Sequence, residues 1–298
     1  MRYCDPLTAS GALQVTAERL AAGGCLLQCF AAFVGEGGFA RFCLLADKYD
    51  AMCEREGYHR VLCASDVRED AVNALFTSEG GAFSTLEELE GLYERGVRMA
   101  GFVWNTPTGA GFPNFPEDTG LCAGRVSPSA REGERGLTEF GFAAAERMAQ
   151  LGMIADVSHG SDRLFAEIAS LKRPFVASHS NAASVQDRAR NLTDAQIRTL
   201  ADCGGVVGLN FCADFLSDDR SEQGQRAALL AHARAILDAG GEDVLAIGSD
   251  FDGIPANPWL PDPSHMPCLL QLLADAFGAR IAQKAAQDNV LRVLRDVL

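Results

Sequence analysis

The ten cysteines include no CxxC pair, and none of their spacings resembles a zinc finger. Small buried thiols in a reducing cytosol are the expectation. Long apolar runs are also missing: nothing approaches the roughly 20 residues that cross a bilayer. The opening MRYCDPLTAS has no charged segment leading into an apolar one, so neither a membrane helix nor a secretory leader is expected. Positive charge is scarce. With 26 Lys and Arg against 40 Asp and Glu, the net charge is −14, which argues against nucleic acid or an anionic membrane as partner. There is no GxSxG elbow, no GxGxxG and no P-loop, so serine-hydrolase and nucleotide-binding chemistry lose their usual supports. A cytoplasmic protein acting on a small molecule is what remains.

What the chain does have is a recurring unit, a short apolar strand ending in polar residues and then a helical stretch. Tyr3–Asp5 is the first such strand, Cys25–Phe30 the second and Ala74–Thr77 the third. Met99–Trp104, Met153–Val157, Phe175–Ala177, Val206–Phe211 and Val244–Ile247 follow. Helices are expected over Phe39–Glu56, Leu86–Arg95, Thr138–Leu151 and Asp162–Leu171, with Thr193 capping another that runs through Leu200. Strands without alternation, covered on both faces, suit parallel pairing. Eight of them within 298 residues predict a single (β/α)8 barrel domain over residues 1–298. The exception is Asn105–Arg135, about thirty residues rich in Gly, Pro and charge, read as a loop at the rim that could serve as a lid.

Histidine is sparse, five in all, yet His159 and His179 end adjacent expected strands. Such strands lie about 4.8 Å apart, so two imidazoles leaving their C-terminal ends can converge on one cation. A lone histidine there is more often a hydrogen-bonded structural residue; two at equivalent positions favour a metal site. Glu79 ends the third strand before Gly80 and Gly81, a turn that lets a ligand approach the backbone. Asp5 closes the first strand, with Tyr3 on the same face. Asp250 ends the eighth, which barrel closure places beside the first, and one of these carboxylates could serve as base toward a metal-activated water. Asp252, just before Gly253, reads better as a turn residue. Arg190, after the sixth strand, could grip a substrate carboxylate, although taken alone a surface salt bridge is the commoner role.

Seven stretches, SEGG (78–81), GLTEFG (136–141), LGMIADVSH (151–159), PFVASHSN (174–181), RNLTD (190–194), GGVVGLNF (204–211) and IGSDFDG (247–253), resemble in order the membrane (renal) dipeptidase family, the M19 metallopeptidases of the amidohydrolase superfamily. That resemblance implies a zinc-dependent hydrolase of dipeptides, tolerant of a D-residue at the C-terminal position, and in some members a homodimer. It implies Glu79 as a bridge between two zinc ions, His159 and His179 on the deeper ion, and Asp250 as the acid/base. Arg190, with Asn191 beside it, becomes the substrate-carboxylate grip, and Trp104 and Tyr3 fall at substrate-facing positions. One departure stands out. The family's first strand carries His-x-Asp, and here it reads Tyr3-Cys4-Asp5. A phenol with an ordinary pKa of about 10 ligates zinc poorly. One tightly held ion is therefore expected, with the second, at Asp5 and Glu79, weak. The alternative it opens is a repurposed relative that binds a small ligand without hydrolysing it.

Overall fold

The computed structural model describes residues 13–116 and 126–298. Its sheet contains β1 (Leu27–Phe33), β2 (His59–Arg60), β3 (Asn73–Glu79), β4 (Val97–Gly101), β5 (Ile154–Asp156), β6 (Val176–Ala177), β7 (Val206–Leu209) and β8 (Leu245–Ile247). All pair in parallel in the order β1-β3-β4-β5-β6-β7-β8, with β2 an extra pair at the start of β3. The sheet is curled, helices cover its outside, and the architecture is (β/α)8. Seven of the eight expected strands are present at or within about three residues of their expected ends. The expected first strand, Tyr3–Asp5, lies outside the described residues. The short β2 has no expected counterpart, because two residues carry no periodicity to read.

The helices begin where the sequence supplies caps. Thr138 accepts from the Gly141 amide to open Glu139–Leu151, and Ser161 accepts from Leu164 to open Asp162–Ser170. Thr193 and Gln196 form a reciprocal capping box at the head of Asp194–Asp202.

Two apolar layers follow from strand alternation. Phe76, Ala100, Ala177, Val207 and Leu245 face outward against helix residues such as Phe42, Leu89, Leu164 and Ile236. Leu75, Met99, Ile154, Val176, Val206 and Ala246 face inward, plugged below by Val293 and Leu294 of helix Asn289–Val297. Successive residues of a strand alternate sides, so the residues two further on also point inward. They are Thr77, Gly101, Asp156, Ser178, Gly208 and Gly248. The interior thus turns from apolar to polar in one step along the barrel axis.

The described parts of segment 105–135 are pinned to the barrel rim. The Asn114 amide donates to the His159 carbonyl (2.9 Å), Glu132 N to Asn114 O (2.9 Å), Asp162 N to Glu132 O (2.9 Å) and Ala189 N to Pro128 O (2.8 Å). Arg131 bridges Asp162 Oδ1 (2.7 Å) and the Asn191 carbonyl (2.9 Å). These bonds tie the segment to the loops after β5 and β6, which speaks against a freely swinging lid over the described stretches.

Candidate metal centre

Glu79 is the last residue of β3, and its side chain leaves the strand toward the barrel interior. The chain turns sharply after it, with Gly80 at φ 89° and Gly81 at φ 67°. A Cβ on Gly81 would stand 2.6 Å from the Phe102 carbonyl oxygen, so the turn admits no side chain there. His159 and His179 follow β5 and β6 by three and two residues.

The three side chains meet. Glu79 Oε1 lies 2.8 Å from His159 Nε2 and 3.4 Å from His179 Nε2, and the two Nε2 atoms are 3.0 Å apart. Among the described residues, this is the group of His, Cys, Asp and Glu donors close enough to share one ion. The fit can be tested on geometry. Nitrogen donors 2.0–2.1 Å from a tetrahedral ion are about 3.3 Å from one another, close to the edges of this triangle. It can also be tested on protons. His159 Nδ1 is 3.0 Å from Asn105 Oδ1, and an amide oxygen only accepts, so the ring proton is on Nδ1 and Nε2 presents a lone pair. A bare nitrogen set against a carboxylate oxygen repels it unless a cation sits between them. The residues fit a divalent metal.

Electrostatics agree. Burial, reinforced by the Arg190 guanidinium, pushes His159 down to about 3, so the imidazole is neutral and able to ligate. Burial also lowers His179, but the carboxylates of Asp250 and Glu79 outweigh it and the net direction is upward.

Asp250 sits just beyond β8 in the left-handed region (φ 62°), unusual for a residue with a side chain. Asn210 Nδ2 donates to its Oδ2 at 3.1 Å, while burial, aided by the Glu79 charge, raises its pKa. Arg190 is only 2% exposed, which removes the surface salt bridge that the isolated residue suggests. Its guanidinium donates to the carbonyls of Ser158 and His179 and approaches His159 Nε2 to 3.2 Å, and its Nε has no partner among the described residues. Trp104 packs beside the site, its ring centroid 6.1 Å from that of His159 and 5.2 Å from Phe33. Glu79, Trp104, His159, His179, Arg190 and Asp250 all border one cleft.

Asn191 lies elsewhere. It is fully buried, its amide donates to the carbonyls of Gln186 and Phe215 (2.8 Å each), and it braces the loop that carries Arg190 without bordering the cleft. Asp252 accepts from the Gln14 and Val15 amides (2.7 and 3.1 Å), clamping the turn after β8 to residues 14 and 15. Asp5 and Tyr3 lie outside the described residues. Sequence reasoning passes over Asn105 and Asn210, which hold His159 and Asp250, and Asp156, Ser158 and Ser178, which lie next to His179. A signal for the last group exists: Ser-His recurs at the ends of adjacent strands, at 158–159 and 178–179. Cysteine burial is also looser than expected. Among the described residues Cys53 is buried and Cys268 exposed, with the others between.

Residues 5–298 match the family model described as membrane dipeptidase, peptidase family M19. A protein of Klebsiella pneumoniae, known only as lying in the pqqA 5′ region, is 35% identical over 252 residues, spanning 79% of this chain and 88% of its own length. The solved structure of dipeptidase AC, a metallopeptidase of family M19, superposes with a TM-score of 0.86 at 27% identity, covering 97% of this chain and 91% of that one. A metallopeptidase of Rhodobacter sphaeroides, solved with a phosphinate mimic of the dipeptide L-Ala-D-Ala, gives 0.84 at 26% identity, covering 98% and 92%. On the match of nearly the whole sequence and the shared barrel, the chain belongs to the membrane dipeptidase family, peptidase family M19.

Proposed function

We propose that this protein is a zinc-dependent dipeptidase whose metal is held by Glu79, His159 and His179. The observation that carries the reading is the meeting of those three donor atoms within 3.4 Å. A bound divalent cation supplies Lewis acidity toward the scissile carbonyl and lowers the pKa of water toward 7.

The chain's own residues do the rest. Asp250, buried and raised in pKa, takes a proton from the attacking water and returns it to the departing amine. Asn210 holds one of its oxygens and leaves the other for that exchange. Arg190, fixed through two main-chain carbonyls, places positive charge beside the cleft where the free carboxylate of a dipeptide can lie. Trp104 walls the cleft and excludes water from one side. Tolerance of a D-residue at the C-terminal position is part of the proposal, supported by the L-Ala-D-Ala mimic bound to the Rhodobacter sphaeroides relative.

Metal analysis of purified protein and a dipeptide panel assayed with added zinc, cobalt or manganese test this directly. Hydrolysis that follows metal content and is abolished by Glu79→Gln is expected. A filled metal site with no turnover of any L,L- or L,D-dipeptide refutes it.

A further inference from the structure

We propose that Asp156, acting through the Ser178 hydroxyl, is the positioning residue that fixes which nitrogen of His179 faces the metal. The inference rests on the reading of His179 as a ligand and adds a group that the sequence motifs do not single out.

Asp156 on β5 pairs with Val176 on β6, and Ser178 follows two residues beyond Val176 on the same inward side. The Asp156 carboxylate gathers four donors. Oδ1 accepts from the Ser158 amide (3.0 Å), the Ser158 hydroxyl (2.7 Å) and the Ser178 amide (3.1 Å), and Oδ2 accepts from the Ser178 hydroxyl (2.5 Å). An ionised carboxylate only accepts, so the single Ser178 hydroxyl proton is spent on it. The same oxygen lies 2.7 Å from His179 Nδ1 and has only lone pairs left to offer. Nδ1 must therefore carry the ring proton, and Nε2, 3.0 Å from His159 Nε2, is left bare. The Ser158 hydroxyl oxygen accepts from the His179 main-chain amide (3.1 Å), so the same carboxylate also anchors the backbone of the ligand.

The two imidazoles are backed unequally. His159 leans on the neutral Asn105 amide, and His179 leans on a negative charge relayed through one hydroxyl. Hydrogen bonding to a carboxylate raises the basicity of a ligating imidazole and locks its orientation. Asp156→Asn offers an N–H where the carboxylate accepted. The Ser178 proton then turns toward Nδ1, and the tautomer with its proton on Nε2, useless as a ligand, gains.

Zinc affinity, measured by competition with a chromophoric chelator, is the test. Native protein must bind zinc. Ser178→Ala and Asp156→Asn should each weaken binding about 10- to 100-fold, the range for lost outer-shell partners. Ser178→Thr, which keeps the hydroxyl, should stay near native. The double variant should be no weaker than the worse single one, because the two act in series. Nitrogen-15 NMR of zinc-loaded native protein should find the His179 proton on Nδ1. Native-like affinity of Ser178→Ala, additive losses in the double variant, or a proton-free Nδ1 would each overturn the inference. If Asp156→Asn does not fold, the Ala and Thr variants of Ser178 decide alone. Failure of native protein to bind zinc would instead remove the metal reading beneath it.

Discussion

Acidification should loosen the loop that carries Arg190, and His232 sets the size of the effect. This imidazole is fully buried on helix Glu222–Gly240, with Nδ1 3.1 Å from the Ala182 amide and Nε2 3.0 Å from the Leu216 carbonyl. The amide can only donate and the carbonyl only accept, so the ring is neutral with its proton on Nε2. A second proton would point at the Ala182 N–H, and burial already lowers the pKa from 6.5 to about 4. At ~1.36 kcal/mol per unit, that difference is about 3 kcal/mol of stability, held above pH 6.5 and lost as pH falls toward 4, since the unfolded chain takes up the proton first. Ala182 begins the loop in which Leu192 N bonds Asn181 O and Ala183 N bonds Leu192 O, so the loss falls close to the site. Metal-free native protein and His232→Asn should be unfolded in urea at intervals from pH 7.5 to 4. Their stability difference should shrink by about 3 kcal/mol across that range. A constant difference, or a His232 ring proton that titrates near 6.5 by NMR, refutes the argument.

Asp250→Asn should bind zinc normally yet lower kcat by about 10²- to 10⁴-fold, the usual worth of an acid/base group, as read by steady-state dipeptide hydrolysis. Gly81→Ala forces a side chain into a left-handed turn against the Phe102 carbonyl, so it should destabilise by about 1–3 kcal/mol and weaken zinc binding through Glu79, as measured by thermal unfolding and chelator competition. Tyr3→His should raise the zinc-to-protein ratio and the rate together if the first-strand substitution limits the second ion. An unchanged ratio by metal analysis would show that it does not.

The fold was legible because parallel strands buried on both faces are written as short uninterrupted apolar runs, and because Thr138, Ser161 and Thr193 announce helix starts. The meeting of Glu79, His159 and His179 was legible because histidine is scarce and two of the five fall at strand ends. What escaped was everything that depends on the neighbouring strand. Arg190 and Asn191 are consecutive and polar, but one borders the cleft and the other is consumed by the carbonyls of Gln186 and Phe215. Nothing local separates them. Asp156 and Ser178 look like ordinary strand-end polar residues until β5 pairs with β6, Asp156 opposite Val176, and the Ser178 amide and hydroxyl reach the Asp156 carboxylate. The Asn105–Arg135 stretch reads as loose on composition, whereas its described parts are held by partners in the loops after β5 and β6, Asn114 on His159 and Pro128 on Ala189 among them.

The bond from Asn114 to the main-chain carbonyl of His159 ties the rim segment directly to a proposed metal ligand. Phe115, next to Asn114, borders the cleft, so whatever a bound molecule does to that wall is passed to the ligand through a single N–H. Binding thermodynamics then imposes reciprocity: the factor by which an occupant tightens the grip on the cation equals the factor by which the cation tightens the grip on the occupant.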